Sequence, residues 1–152
     1  MPHRSCDLRK GRISIPEQIY LITTVTQNRQ PIFTDFHCAR TVIHSLKHTE
    51  QLHRATSLSF IVMPDHLHWL LSLQDKYTLP QVISNIKRRS AYRINQHLNK
   101  TGSPVWQHGF HDYALREEDE IKDVARYIVA NPLRAGLVDK IGDYPFWDAV
   151  WL

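Results

Sequence analysis

The chain has 152 residues, 42% hydrophobic and 22% charged, and a formal net charge of +4 with its 10 histidines counted as neutral. This length suits one domain with a real core, and the composition excludes an intrinsically disordered polymer. No apolar run approaches the ~20 residues of a membrane-spanning helix and no apolar leader core follows the start, so a cytoplasmic protein with no membrane partner is expected.

The 2 cysteines, Cys6 and Cys38, are too few for a disulfide framework and read as reduced thiols. A basic surplus suits a polyanionic partner, but charge alone leaves nucleic acid and no acidic partner equally open.

In chain order, residues 1–18 are polar and basic, without periodicity, and are expected to form an N-terminal arm of a single domain spanning 1–152. The β-branched and aromatic run 19–26 predicts a first strand. Asp35 can cap a helix reaching Gln51, with Phe36, Ala39, Val42, Ile43 and Leu46 at helical spacing. Residues 55–63 predict a second strand, and Pro64-Asp65 is turn chemistry leading into a third, so a hairpin is expected there.

Thr78 can cap a helix over 79–99 whose buried stripe is Val82, Ile83, Ile86, Ser90, Ile94 and Leu98. A fourth strand is expected over 110–116 and a third helix over 117–131, its first turn acidic as the helix dipole favours. Pro132 biases Asn131 away from helix, and Gly136 suits the position just past a helical turn. The aromatic tail, 139–152, is expected to pack back on the body.

This order predicts an α+β fold: a ferredoxin-like (RRM-like) antiparallel βαββαβ sheet, plus an additional C-terminal helix.

The third strand carries His66-Leu67-His68. Alternate residues of a strand share a face, so His66 and His68 stand together while Leu67, Trp69, Leu71 and Leu73 form an apolar face opposite. A sheet can hold two metal ligands this way, although two histidines at this spacing can equally be surface residues. On the third helix, Tyr127 and Asn131 lie four residues apart and are neighbours. If that helix crosses the histidine face, a phenol, a carboxamide and two imidazoles meet. Two imidazoles and an amide oxygen can hold a divalent ion with positions open to substrate, and a tyrosine beside it can attack a phosphodiester.

Residues 62–68, then Val105-Trp106-Gln107, then residues 127–138 with Asn131-Pro132-Leu133-Arg134-Ala135-Gly136, together resemble the IS200-like single-tyrosine transposases, which carry the His-hydrophobic-His motif of HUH endonucleases. Their REP-associated branch is the most similar. The resemblance implies His66 and His68 as metal ligands, Asn131 in the third ligand position and Tyr127 as the nucleophile. It implies Mg²⁺ or Mn²⁺, and single-stranded DNA folded into a hairpin as substrate, cut with a 5′-phosphotyrosine intermediate and then rejoined. It also leaves two assemblies open, a monomer and a homodimer with exchanged helices.

Read without that context, Tyr127 is an ordinary helix tyrosine and Asn131 a helix-ending residue. Tyr92 and Tyr113 are rival nucleophiles. Lys87, Arg88, Arg89 and Arg93 are expected to contact DNA phosphates, or else form a solvated helix face. Trp106, His108 and His111 suit either the site or the structure around it, and Glu120 either orients the site or complements the helix dipole. Two other functions remain open: a catalytically inactive hairpin-binding descendant of a transposase, and a zinc hydrolase of small molecules.

Overall fold

The computed structural model describes residues 18–150, so the expected arm, apart from Gln18, and the end of the tail lie outside the described residues. Five strands form one antiparallel sheet: β1 (Ile19–Val25), β2 (Ala55–Met63), β3 (His66–Leu73), β4 (His111–Leu115) and β5 (Trp147–Ala149), in the order β4-β1-β3-β2-β5. The helices are α1 (Phe36–Gln51), α2 (Leu79–Leu98), α3 (Glu118–Val129) and a single turn, α4 (Asn131–Arg134).

The helix starts follow from local chemistry. The Asp35 carboxylate accepts from the Cys38 amide at 3.1 Å, and Thr78 and Gln81 form a reciprocal capping box. The Met63↔His66 pairing leaves Pro64 and Asp65 as the hairpin turn. Two neighbours pin it: the Thr26 amide donates to the Asp65 carbonyl (2.9 Å) and the Phe33 amide to that of Pro64 (3.0 Å). The position of Asp65 beside the histidine strand is therefore set by four chain segments.

The alternation of β3 divides the core. Leu67, Trp69 and Leu71 pack with α1 and α2 residues such as Val42, Leu46, Ile83 and Ile86. Leu70 packs on the other face with Ile61, Met63, Ile121, Ala125 and Ile128, under α3. A bulge between Ser57 and Ser59 lets Leu58 join this second layer, and the Ser59 hydroxyl donates to the Ala125 carbonyl at 3.2 Å. The third helix thus lies over the face that carries His66 and His68.

Two elements differ from expectation. The third helix stops at Val129, and Asn131 opens α4 rather than ending a helix. Proline near a helix start lacks only an N–H that would be unsatisfied there, so a new turn forms, with the Ala135 amide donating to the Asn131 carbonyl at 2.9 Å. Gly136, at φ +73°, ends that turn in the left-handed region, as its sequence position predicts. The tail does return to the body, and it contributes β5 along β2, with Phe146 buried in the α1–α2 layer.

Candidate metal and nucleophile site

His66 and His68 stand on the same face with ring centroids 4.7 Å apart, edge to face. Each ring has one nitrogen engaged. The Asp65 carboxylate lies 2.7 Å from Nδ1 of His66, and the Thr23 hydroxyl of β1 lies 2.8 Å from Nδ1 of His68. Such partners orient both imidazoles, and the Asp65 carboxylate, an acceptor only, also holds a proton on Nδ1 of His66, so Nε2 of each ring is left to act as a ligand.

Asp65 is itself braced by Nε of Arg29 at 3.2 Å. Partial burial works against ionisation of Asp65, yet the His66 hydrogen bond and charge, with Arg29, hold it below the ordinary carboxylate range. Burial depresses His68 most, aided by the charges of His66 and Arg134, to about 4. His68 is therefore neutral near pH 7, the form that binds a metal.

The cover supplies the other half. Tyr127 is 61% exposed, and the Arg134 guanidinium lies 3.7 Å from its ring centroid while donating to its backbone carbonyl at 2.9 Å. The charge of Arg134, on α4, also reaches His68, so this cation acts on both the α3 phenol ring and the histidine strand. Asn131 starts the same turn, which packs against β2, and the amide nitrogen of its side chain is buried with no hydrogen-bond partner. Turned over, a carboxamide places oxygen at that position. Two oriented imidazoles and a buried carboxamide lacking a partner are a donor set that fits a divalent cation with open positions for substrate.

The basic set on α2 is placed differently. That helix packs on the opposite face of the sheet. The Lys87 ammonium donates to the carbonyls of Gln107 and Gly109, holding a bulge that joins residues 105–107 to β4, and burial lowers its pKa. Arg88 and Arg93 are exposed and Arg89 half-buried. A cavity of about 730 Å³ between α2 and the bulge is lined by Ile83, Lys87, Arg88, Trp106, Gln107 and His108. Trp106 itself is core, its indole N–H donating to Ser90 at 3.0 Å and its ring 5.2 Å from Phe33. Tyr92 is exposed on α2, across the sheet from the histidines, and Glu120 is exposed in the first turn of α3.

Sequence reasoning missed Thr23, Asp65 and Arg134. The one available signal for Asp65 was its adjacency to His66.

Asp35, Cys38 and His97 also bring ligand atoms within 4.8 Å of one another. The α1 cap and the 3.1 Å Asp35–His97 contact account for that cluster, and burial pushes the Cys38 thiol up to about 12.

Paired histidines on a sheet face, under a helix that carries an exposed tyrosine, are the arrangement expected of a tyrosine-nucleophile nuclease. Residues 14–131 match the family model described as "Transposase IS200 like", and the chain belongs to that family, whose members are enzymes that cut and rejoin DNA.

The chain is 24% identical over 140 residues to a Haemophilus influenzae protein described as a candidate REP-associated tyrosine transposase, covering 84% of this chain and 77% of that one. It is 27% identical over 89 residues to the REP-associated tyrosine transposase of Escherichia coli K12, covering 58% of this chain and half of the other (50%).

Among solved structures, that of a REP-associated tyrosine transposase bound to a REP hairpin superposes with a TM-score of 0.71 at 19% identity, over 97% of this chain and 81% of that one. A Deinococcus radiodurans protein described as a candidate transposase gives 0.57 at 22% identity, over 79% and 95%. These likenesses support the fold. Among the described residues, no helix is long and apolar enough to cross a membrane.

Proposed function

We propose that this chain, folded as one domain and acting in the cytoplasm, is a metal-dependent endonuclease and strand transferase for single-stranded DNA at hairpin-flanked, REP-like sites. The observation that carries this reading is the pairing of two imidazoles, each fixed through Nδ1, with a tyrosine held by Arg134 on the helix that covers them. His66, His68 and Asn131 would hold Mg²⁺ or Mn²⁺, which when bound polarises the scissile phosphodiester.

The protein's own groups do the rest. The phenol oxygen of Tyr127 attacks phosphorus, its proton passes to solvent, and the P–O3′ bond breaks. A tyrosyl 5′-phosphate forms, and the departing 3′-oxygen takes a proton to become a free hydroxyl. The ester keeps the energy of the broken bond, so a second 3′-hydroxyl can reverse the step and join a new strand. The Arg134 guanidinium, 3.7 Å from the centroid of the Tyr127 ring, offers positive charge to the phosphate as charge develops on phosphorus.

Outside the centre, Arg88, Arg89 and Arg93 remain free to meet phosphates, while Lys87 is committed to the bulge. The hairpin bound by the structural relative is the substrate class assigned here to this chain.

Tyr127→Phe tests the reading. With single-stranded hairpin oligonucleotides and Mn²⁺, wild type should give a covalent adduct on a denaturing gel, and the variant should bind DNA but give none. Adduct from the variant would remove Tyr127 from the role. DNA binding by the wild type with no adduct under any metal would favour the inactive hairpin binder instead. The mass of the active species in solution decides between a monomer and a homodimer with exchanged helices.

A further inference from the structure

The register of the sheet continues the histidine face beyond the histidines. His66 stands opposite Val25, and the Gln107 amide bonds the Val25 carbonyl at 2.8 Å. His68 stands opposite Thr23, and Thr23 opposite His111. Leu70 stands opposite Leu21, and Leu21 opposite Tyr113. Paired residues share a face, so three rows run from the β3 histidine strand across β1 to the β4 edge.

Coverage changes along those rows. On β2 the residues of this face, Ser59, Ile61 and Met63, are 1%, 0% and 4% exposed beneath α3. On β1, Leu21, Thr23 and Val25 are half-buried, and at the edge Gln107, His111 and Tyr113 are exposed, Tyr113 by 58%. α3 therefore roofs one half of the face and leaves the other open, with His66 and His68 at the border.

The open half has a definite chemistry. It offers a phenol ring and an imidazole on an edge strand, a carboxamide, a hydroxyl and aliphatic side chains, and its three rows contain no carboxylate. Neither the Tyr113 nor the His111 ring meets another aromatic ring among the described residues. Two inter-strand spacings, about 10 Å, separate these rings from the histidine strand. Flat exposed rings that meet no other ring suit unpaired bases, whose faces stack on aromatics whatever their sequence. At that same edge Arg88 lines the cavity with Gln107, where a phosphate could be met.

We propose that the open β1–β4 half of the sheet is a stacking shelf for single-stranded DNA. On it Tyr113 and His111 seat bases next to the phosphodiester presented to His66 and His68. The proposal rests on the function argued above, and its test is chosen to be read without cleavage.

Binding of a fluorescein-labelled unstructured oligonucleotide is measured by anisotropy in EDTA, in a Tyr127→Phe background. Tyr113→Ala should weaken binding by about 5- to 150-fold, the range for loss of one base stack, and Tyr113→Phe should restore it. His111→Ala should weaken it by less. Photocrosslinking from 5-bromodeoxyuridine should map to Tyr113 or His111 by peptide mass.

Tyr113→Ala binding within twofold of the parent, in a protein with unchanged circular dichroism, overturns the proposal, as do crosslinks found only on α2. A wild-type protein that binds through Tyr113 but never forms adduct would leave the shelf standing and remove the nuclease reading. Adduct formed with no loss on Tyr113→Ala would do the reverse.

Discussion

Thr23→Val isolates the hydrogen bond that orients one ligand. Valine keeps the branched shape that suits a strand, so β1 should form as before. The hydroxyl that sits 2.8 Å from Nδ1 of His68 is lost, and nothing on the variant side chain replaces it. Two costs follow. The Nδ1 group loses its partner in a mostly buried ring, worth about 1–3 kcal/mol of stability. The ring also loses the contact that fixes its orientation, and loss of such a partner lowers metal affinity by roughly 10- to 100-fold, about 1.4–2.7 kcal/mol.

The two effects are separable. Calorimetric titration with Mn²⁺ reads the second, and urea unfolding of the metal-free protein reads the first. Thr23→Ser, which keeps the hydroxyl, should recover most of the metal affinity. If Thr23→Val binds Mn²⁺ within twofold of wild type while its urea midpoint falls, the hydrogen bond serves only the fold. His68 would then not be a ligand oriented from β1.

The same logic reaches the other imidazole. Asp65→Asn keeps a group beside Nδ1 of His66 but removes its charge, so the Mn²⁺ concentration giving half-maximal adduct should rise about tenfold with the fold intact. An unchanged midpoint would mean that the carboxylate does not tune the ligand. On α2, Lys87→Met should destabilise the protein by about 1–3 kcal/mol, since two carbonyls lose their donor, yet leave the salt dependence of DNA binding alone. Arg88→Ala and Arg93→Ala should each reduce the slope of log affinity against log salt by about one, with little change in stability. A lower slope for Lys87→Met would return that residue to the DNA interface.

What was legible in the chain follows how local each cause is. The Asp35 cap, the Thr78–Gln81 box, the Pro64-Asp65 turn and the Gly136 stop depend on a few adjacent residues, and each stands where the sequence puts it. Strand β5 did not announce itself, because Trp147-Asp148-Ala149 becomes a strand only by lying along β2. The break between α3 and α4 is of a mixed kind. Proline marked the place, but packing of α4 on β2 decided that a new turn would form there.

The site divides the same way. His66, His68, Tyr127 and Asn131 were singled out by periodicity and resemblance, since each is marked by what stands two or four residues away. Thr23 was read only as a strand former, because its partner is fixed by the β1–β3 register, which no local pattern encodes. Lys87 looked like one more cation on a basic helix, and its role depends on carbonyls of a bulge whose Gly109 takes φ +83°.

In the mechanism proposed above, the location of the histidines at the border of the covered half has a chemical reason. A centre that joins a protein nucleophile to a polymer needs two approaches that do not compete. The nucleophile must come on an element rigid enough to aim it, and α3 is rigid because Ile121, Ala125 and Ile128 are buried against β2 and β3. The polymer must arrive from a side that no element fills. Had α3 extended over β1, Thr23 and the histidines would be sealed, with no room for a phosphodiester. A helix packed on β2, β5 and β3 satisfies both demands, and it leaves Arg134 stacked on the phenol ring with its charge felt at His68.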